Sequence, residues 1–287
     1  ESDAATGRTL MQQYLIDYPE STQKGLLDCY IAQSYYHTGD YEAACDKFKE
    51  CNFNLLTAKQ REEATLYHAL SLINTGNEGA GENKLHNLLT SRYLSADATF
   101  HLAVINYNRA VTNYDRDMLY AAQEGFIDCE THSEKFKLEV QYYNAGIYIK
   151  EGDYDHALRV AEHTIKAHGN TIQGIKMHQM LGAAYFMKED YENAAKAFEV
   201  YMKKYHTPQR IAMYQYGKSL FELGKYDEAM KMLIVCADGD DAIAQNALLH
   251  VGLIHLENGN AKDADAVIEK TTRRVQKEND YAAIYAR

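Results

Sequence analysis

Small and apolar residues recur along this chain at helical spacing, and short polar turns interrupt them at regular intervals. Between Met180 and Tyr201, Leu181, Gly182 and Tyr185 share one stripe that runs up to Phe186. Lys188-Glu189-Asp190 breaks it, and Tyr191, Ala194, Ala195, Phe198 and Tyr201 make a second stripe. Offsets of three, four and seven residues place such side chains on one face of a helix. A small residue lets a facing helix approach, and the aromatic one turn away fills the hollow beside it. The stretch predicts two antiparallel helices closed on each other.

The same unit returns along the chain. Thr38-Gly39-Asp40-Tyr41 is followed by Ala44 and Phe48, and Glu151-Gly152-Asp153-Tyr154 by Ala157 and Ala161. Leu223-Gly224-Lys225-Tyr226 precedes Ala229 and Leu233, and Asn258-Gly259-Asn260 precedes Ala264 and Ile268. Thr75-Gly76-Asn77, with Gly81 and Leu85, is a weaker copy. The turn positions 39, 76, 152, 189, 224 and 259 are separated by 37, 76, 37, 35 and 35 residues, the 76 being two repeats. Seven residues before each turn stands a small residue and four before it a large one: Ala32/Tyr35, Ala69/Leu72, Ala145/Tyr148, Gly182/Tyr185 and Gly217/Leu220, with Gly252/His255 irregular. A period of this length marks a solenoid of helical hairpins, each burying its apolar faces against its neighbours. The pattern resembles the tetratricopeptide repeat over nearly the whole chain, although the family's usual first-helix tryptophan is absent from a sequence that has no Trp. The resemblance implies an all-α, right-handed superhelical solenoid of about seven antiparallel hairpins plus terminal helices.

On this frame residues 1–21 are half a repeat and form a second helix from Ala4 to Asp17, so the chain starts inside a hairpin of a longer protein or opens on an odd capping helix. Full repeats are expected at 22–57, 58–92, 94–133, 136–169, 173–207, 208–239 and 242–276, all in one array. Residues 277–287 would cap the stack or begin another repeat. Gly79 and Gly81 weaken the second helix of their repeat. The third repeat has no turn glycine and needs about seven extra residues near 110–116, in a longer helix or a loop.

Composition narrows the function. A net charge of −11 argues against nucleic acid, which needs a positive footprint, and Arg273-Arg274 is the one adjacent arginine pair. No apolar run approaches the roughly 20 residues of a membrane span. The opening residues Glu1-Ser2-Asp3 do not read as a signal peptide, which excludes nothing about export, because a mature chain would lack one too.

Candidate chemistry is thin. There is no C-x-x-C, H-E-x-x-H, G-x-S-x-G, P-loop or G-x-G-x-x-G pattern, so no catalytic residue, metal site or cofactor is expected. Of the five cysteines, Cys51, Cys129 and Cys236 fall where the repeat packs a small apolar residue. Cys29 and Cys45 lie on opposite helices of one hairpin and could be neighbours, which spacing alone does not make a disulfide. The twelve histidines read as solvated or hydrogen-bonded side chains.

The family resemblance implies that the first helices line an inner, concave wall. The wall positions lie ten, six and three residues before each turn, and most are apolar or aromatic. The candidate peptide-binding residues are Tyr36, Phe100, Tyr107, Tyr142, Phe186, Tyr214, Lys218 and Phe221. Packing of neighbouring repeats is the competing explanation for each of them. The lysine and asparagine clamp with which one branch of the family holds peptide carboxylates is absent.

The sequence therefore reads as a non-catalytic protein-interaction scaffold that takes a peptide or amphipathic helix, with self-association through open repeat ends as a further possibility. Two alternatives stand beside it. One is an interaction module of a larger enzyme whose catalytic domain lies elsewhere. The other is a periplasmic assembly factor, because Tyr18-Pro19-Glu20-Ser21 and the period resemble the bacterial envelope-associated branch of the family. Cysteines without evident pairing suit a reducing cytoplasm instead.

Overall fold

The computed structural model describes residues 2–113 and 115–272. These residues form fifteen α-helices and one 3-10 turn at Phe53–Leu55, with no strand among them. In order the helices are α1 (Ser2–Asp17), α2 (Lys24–His37), α3 (Tyr41–Glu50), α4 (Ala58–Asn74), α5 (Glu78–His86), α6 (Ser95–Asn113), α7 (Arg116–His132) and α8 (Lys137–Glu151). They continue with α9 (Tyr154–His168), α10 (Ile172–Met187), α11 (Tyr191–Lys204), α12 (Arg210–Glu222), α13 (Tyr226–Cys236), α14 (Ala242–Glu257) and α15 (Ala261–Thr272). The expected tail over 277–287 lies outside the described residues, as does Arg273-Arg274.

Six turns between helices share one backbone device. Gly39, Gly76, Gly152, Gly224 and Gly259 all take φ between 71° and 82°. The next N–H then reaches back to the carbonyl five residues earlier: Asp40 to Tyr35 at 3.0 Å, Asp153 to Tyr148 at 2.8 Å and Lys225 to Leu220 at 2.9 Å. This bond satisfies a carbonyl that the ending helix leaves open. At the fourth turn the left-handed residue is Glu189, at φ 60°, and Asp190 still donates to the Tyr185 carbonyl at 3.0 Å. Asp40, Asp153 and Asp190 then cap the following helix by accepting from the N–H groups of Ala43, His156 and Asn193.

Close approach at each crossing depends on the small residue before the turn. A Cβ on Gly182 would lie 2.9 Å from three atoms of the Phe198 ring, so the α10 backbone sits directly on that ring. Ala32, Ala69 and Ala145 occupy the same register and are fully buried. Opposite them, nine residues after the turn, stand Phe48, Leu85, Ala161, Phe198 and Leu233, all closed to solvent. Burying a side chain the size of Phe198 or Leu233 stabilises its hairpin by about 2 kcal/mol.

The chain divides into two compact units, the first holding α1–α7 and the second α8–α15. Each is a stack of antiparallel hairpins, the α-solenoid arrangement expected from the repeats. In the first unit α1 packs on α2, and the Arg8 guanidinium lies 4.1 Å over the Tyr35 ring while donating to Thr38 Oγ1 at 3.1 Å. The extra residues near 110–116 fall largely in α6, a 19-residue helix that runs on to Asn113. In the second unit the core passes from α10 and α11 through α12 and α13 to α14.

Candidate functional site

Successive first helices touch one another within each unit: α2 with α4, α10 with α12, and α12 with α14. Side chains three residues before the turn sit at these seams. Tyr36 of α2 meets Tyr67 of α4 with ring centroids 5.2 Å apart, and His37 meets the same ring edge-on at 5.0 Å. Burial raises the hydroxyl pKa of both Tyr36 and Tyr67. In α10, Phe186 lies under Lys218 of α12, whose Nζ is 5.7 Å from the ring centroid. In α12, Phe221 meets His250 of α14.

The candidate residues divide by exposure. Tyr36, Tyr107, Tyr142, Lys218 and Phe221 are half-buried and keep an open edge. Phe100, Phe186 and Tyr214 are closed, with 7%, 7% and 1% of their surface exposed. Phe100 stacks on Phe136 at 4.3 Å with planes only 6° apart. Tyr214 packs inside the α12–α14 core. Ten residues before the turn is thus mainly a packing position, because Cys29, Leu66 and Gln179 are buried there as well.

Three polar arrangements accompany these rings. In the first unit, buried Asp97 accepts from Lys135, and His101, one helical turn along α6, meets Phe100 edge-on at 5.3 Å. Burial draws the His101 pKa down to about 4, against the pull of Asp97. In the second unit, Tyr142 of α8 donates to Gln179 of α10 at 3.3 Å, and Gln179 donates to Gln209, the residue before α12, at 2.7 Å. His250 is wedged between Phe221 and Tyr214, with Nδ1 2.7 Å from the Asn246 carbonyl. Burial lowers its pKa, Lys218 adds to that, and the Asn246 carbonyl and Glu222 oppose it.

Neither Asp97 with Lys135 nor His250 stands among the residues expected from sequence. His250 had a signal: it lies nine residues before Gly259, as Tyr67 lies nine before Gly76, and both receive the aromatic residue of the preceding repeat. Among the described residues no group of three or more His, Cys, Asp or Glu side chains is placed to hold a metal ion. All five cysteines are free and buried, and Cys45 lies against Thr75 at 3.9 Å. No described helix is long and apolar enough to cross a membrane.

Residues 211–238, which form most of the α12–α13 hairpin, match the family model of the tetratricopeptide repeat. No curated protein sequence matches the chain. Among solved structures, PilF of Pseudomonas aeruginosa is similar at 17% identity and a TM-score of 0.60, over 78% of this chain and 96% of its own. The apo quorum sensor NprR from B. thuringiensis gives 13% and 0.63 over 93% of this chain and 80% of its own. A tetratricopeptide repeat protein from Parabacteroides merdae gives 13% and 0.55 over 92% and 98%. The chain carries a tetratricopeptide repeat at α12–α13, and its fold is that of the tetratricopeptide-repeat proteins.

Proposed function

We propose that this protein is a non-catalytic interaction scaffold that holds a peptide or amphipathic helix against its first helices. The supporting observation is the apolar stripe left open on α14. Leu249 and Leu256 are 44% and 46% exposed, and half-buried Leu253 lies between them at helical spacing. Half-buried Phe221 and Lys218 stand on the adjacent α12. Apolar side chains lined up in this way favour a partner that covers them. In this reading Tyr36, Tyr107, Tyr142, Lys218 and Phe221 offer contact surface, while Phe100, Phe186 and Tyr214 hold the wall in shape.

The test compares wild type with Tyr142→Ala plus Phe221→Ala. A partner captured by the wild type is identified and its affinity measured with both purified proteins. Loss of about tenfold or more, with the helical circular dichroism unchanged, supports the wall as the binding surface. Equal affinity in a folded double variant overturns it.

For the compartment we infer the bacterial periplasm, on the likeness of Tyr18-Pro19-Glu20-Ser21 to the envelope-associated branch. Fractionation of the native protein tests this, and recovery from the cytoplasm alone would refute it.

A further inference from the structure

Cys29 stands ten residues before Gly39, and Cys51 stands twelve after it. In these hairpins a residue seven before the turn faces one nine after it, as Gly182 faces Phe198, so ten before comes level with twelve after. Cys45, six after Gly39, lies nearer the turn. Both Cys29 and Cys51 belong to one packed cluster with Ala32, Ala44, Phe48, Leu56 and Ala64. The two thiols lie close enough to act on each other electrostatically. Cys51 caps the C-terminus of α3 in an extended conformation, with Sγ 3.2 Å from the Lys47 carbonyl.

We propose that Cys29 and Cys51 are a dithiol modification site that a peroxide oxidises to a disulfide joining α2 to the end of α3. The inference is independent of the binding wall. Cys29 is the attacking sulfur, since its neighbour Cys51 holds its thiol below the usual cysteine range, whereas the same neighbour and burial raise Cys51. The Cys29 thiolate forms an S–O bond as the peroxide O–O bond breaks, and hydroxide leaves. Cys51 then loses its proton and attacks the Cys29 sulfur. The S–S bond forms, the S–O bond breaks, and a second hydroxide leaves to become water. In total, two thiols and one peroxide give one disulfide and two waters, with two electrons passing from sulfur to oxygen.

The other thiols have different surroundings. Cys129 and Cys236 donate to the backbone carbonyls of Ala96 and Arg210, and burial pushes both up to about 11. Because Cys29 and Cys51 are themselves buried, oxidation proceeds through local opening of the hairpin and is slow. The product closes the loop around the Gly39 turn, which restrains the unfolded chain and raises the stability of the first unit.

The experiment treats the reduced full chain with hydrogen peroxide under native conditions, alkylates the remaining thiols and maps the peptides. The expected result is a fall from five alkylatable thiols to three, a Cys29–Cys51 linked peptide, a higher unfolding midpoint, and return to five with dithiothreitol. Cys51→Ser should leave a Cys29 sulfenic acid that dimedone traps, and Cys45→Ser should behave as wild type. Five free thiols after excess peroxide, a link through Cys45, or only intermolecular links would overturn the proposal. The wild-type map decides the matter even where a variant fails to fold.

Discussion

The ring of Phe221 meets the imidazole of His250 edge-on, with centroids 5.2 Å apart and planes at 87°. Tyr214, two turns earlier on α12, meets the same imidazole at 6.0 Å. One α14 side chain thus fills the gap between two α12 rings and bonds to its own helix through Asn246. Replacing it removes both ring contacts and leaves a cavity. His250→Ala should cost about 2–3 kcal/mol in urea unfolding, while His250→Phe, which keeps a ring but not the Nδ1 bond, should cost less. Equal costs would mean that the rings do not carry this seam.

Two histidines of the first unit should make it acid-sensitive. His68 is stacked on Phe48 at 5.2 Å, buried, and without a partner for Nδ1. Burial draws its pKa to about 4, helped by Lys84 and Lys49, and His101 is drawn to about 4 as well. An unfolded imidazole takes its proton near pH 6.5. Between those values the unfolded chain binds protons that the folded chain refuses, so stability falls as pH drops from about 6.5 to about 4 and changes no further on their account. At pH 5 each should have cost about 2 kcal/mol relative to pH 7. His68→Phe and His101→Phe should each lose that share of the pH dependence, while the carboxylate contribution common to all variants cancels. An unchanged difference between pH 7 and pH 5 would refute it.

The turns were legible in the sequence because a left-handed backbone is cheap only for glycine, so Gly39, Gly152 and Gly224 mark themselves. Glu189 was legible by phase alone, through its distance from Gly152 and Gly224. The burial of the proposed contact residues was less legible. Phe100, Phe186 and Tyr214 share registers with half-buried residues yet are closed, Phe100 because Phe136 stacks on it and the other two because the next hairpin covers them. That covering depends on how hairpins stack, and no single repeat encodes it. The cysteines lie within one hairpin: Cys29 and Cys45 occupy opposite helices, but the register set by the turn brings Cys51 level with Cys29.

Glu189 holds a conformation that costs a side-chain-bearing residue roughly 1–2 kcal/mol relative to glycine. Glycine there is freer in the unfolded chain, which takes back part of the gain. Glu189→Gly should therefore stabilise the α10–α11 hairpin by about 0.5–1 kcal/mol, read as a higher urea midpoint with an unchanged slope. The reverse change, Gly224→Glu, should destabilise α12–α13 by a similar or larger amount. Loss of stability in Glu189→Gly would show that the Glu side chain contributes more than its backbone costs.

Arg210, the first residue of α12, fastens the corner between α13 and α14. Its guanidinium donates to the Cys236 carbonyl at 2.6 Å, to the Asp238 carbonyl, and to the Asp241 carboxylate at 2.6 Å. Asp241 is itself the cap of α14, accepting from the Ala244 N–H at 2.9 Å. One planar fork therefore ties three acceptors on two elements, which a lysine ammonium on a flexible stem cannot reproduce. Arg210→Ala should cost about 2–3 kcal/mol, since charge-assisted bonds are lost and two carbonyls are left to find water. Arg210→Lys should recover less than half of that loss. Amide exchange over 237–241 should rise in both variants, more in the alanine, while exchange in α10 and α11 stays as in wild type. Full recovery by lysine would show that positive charge alone holds the corner, and the fork geometry would then have no part in it.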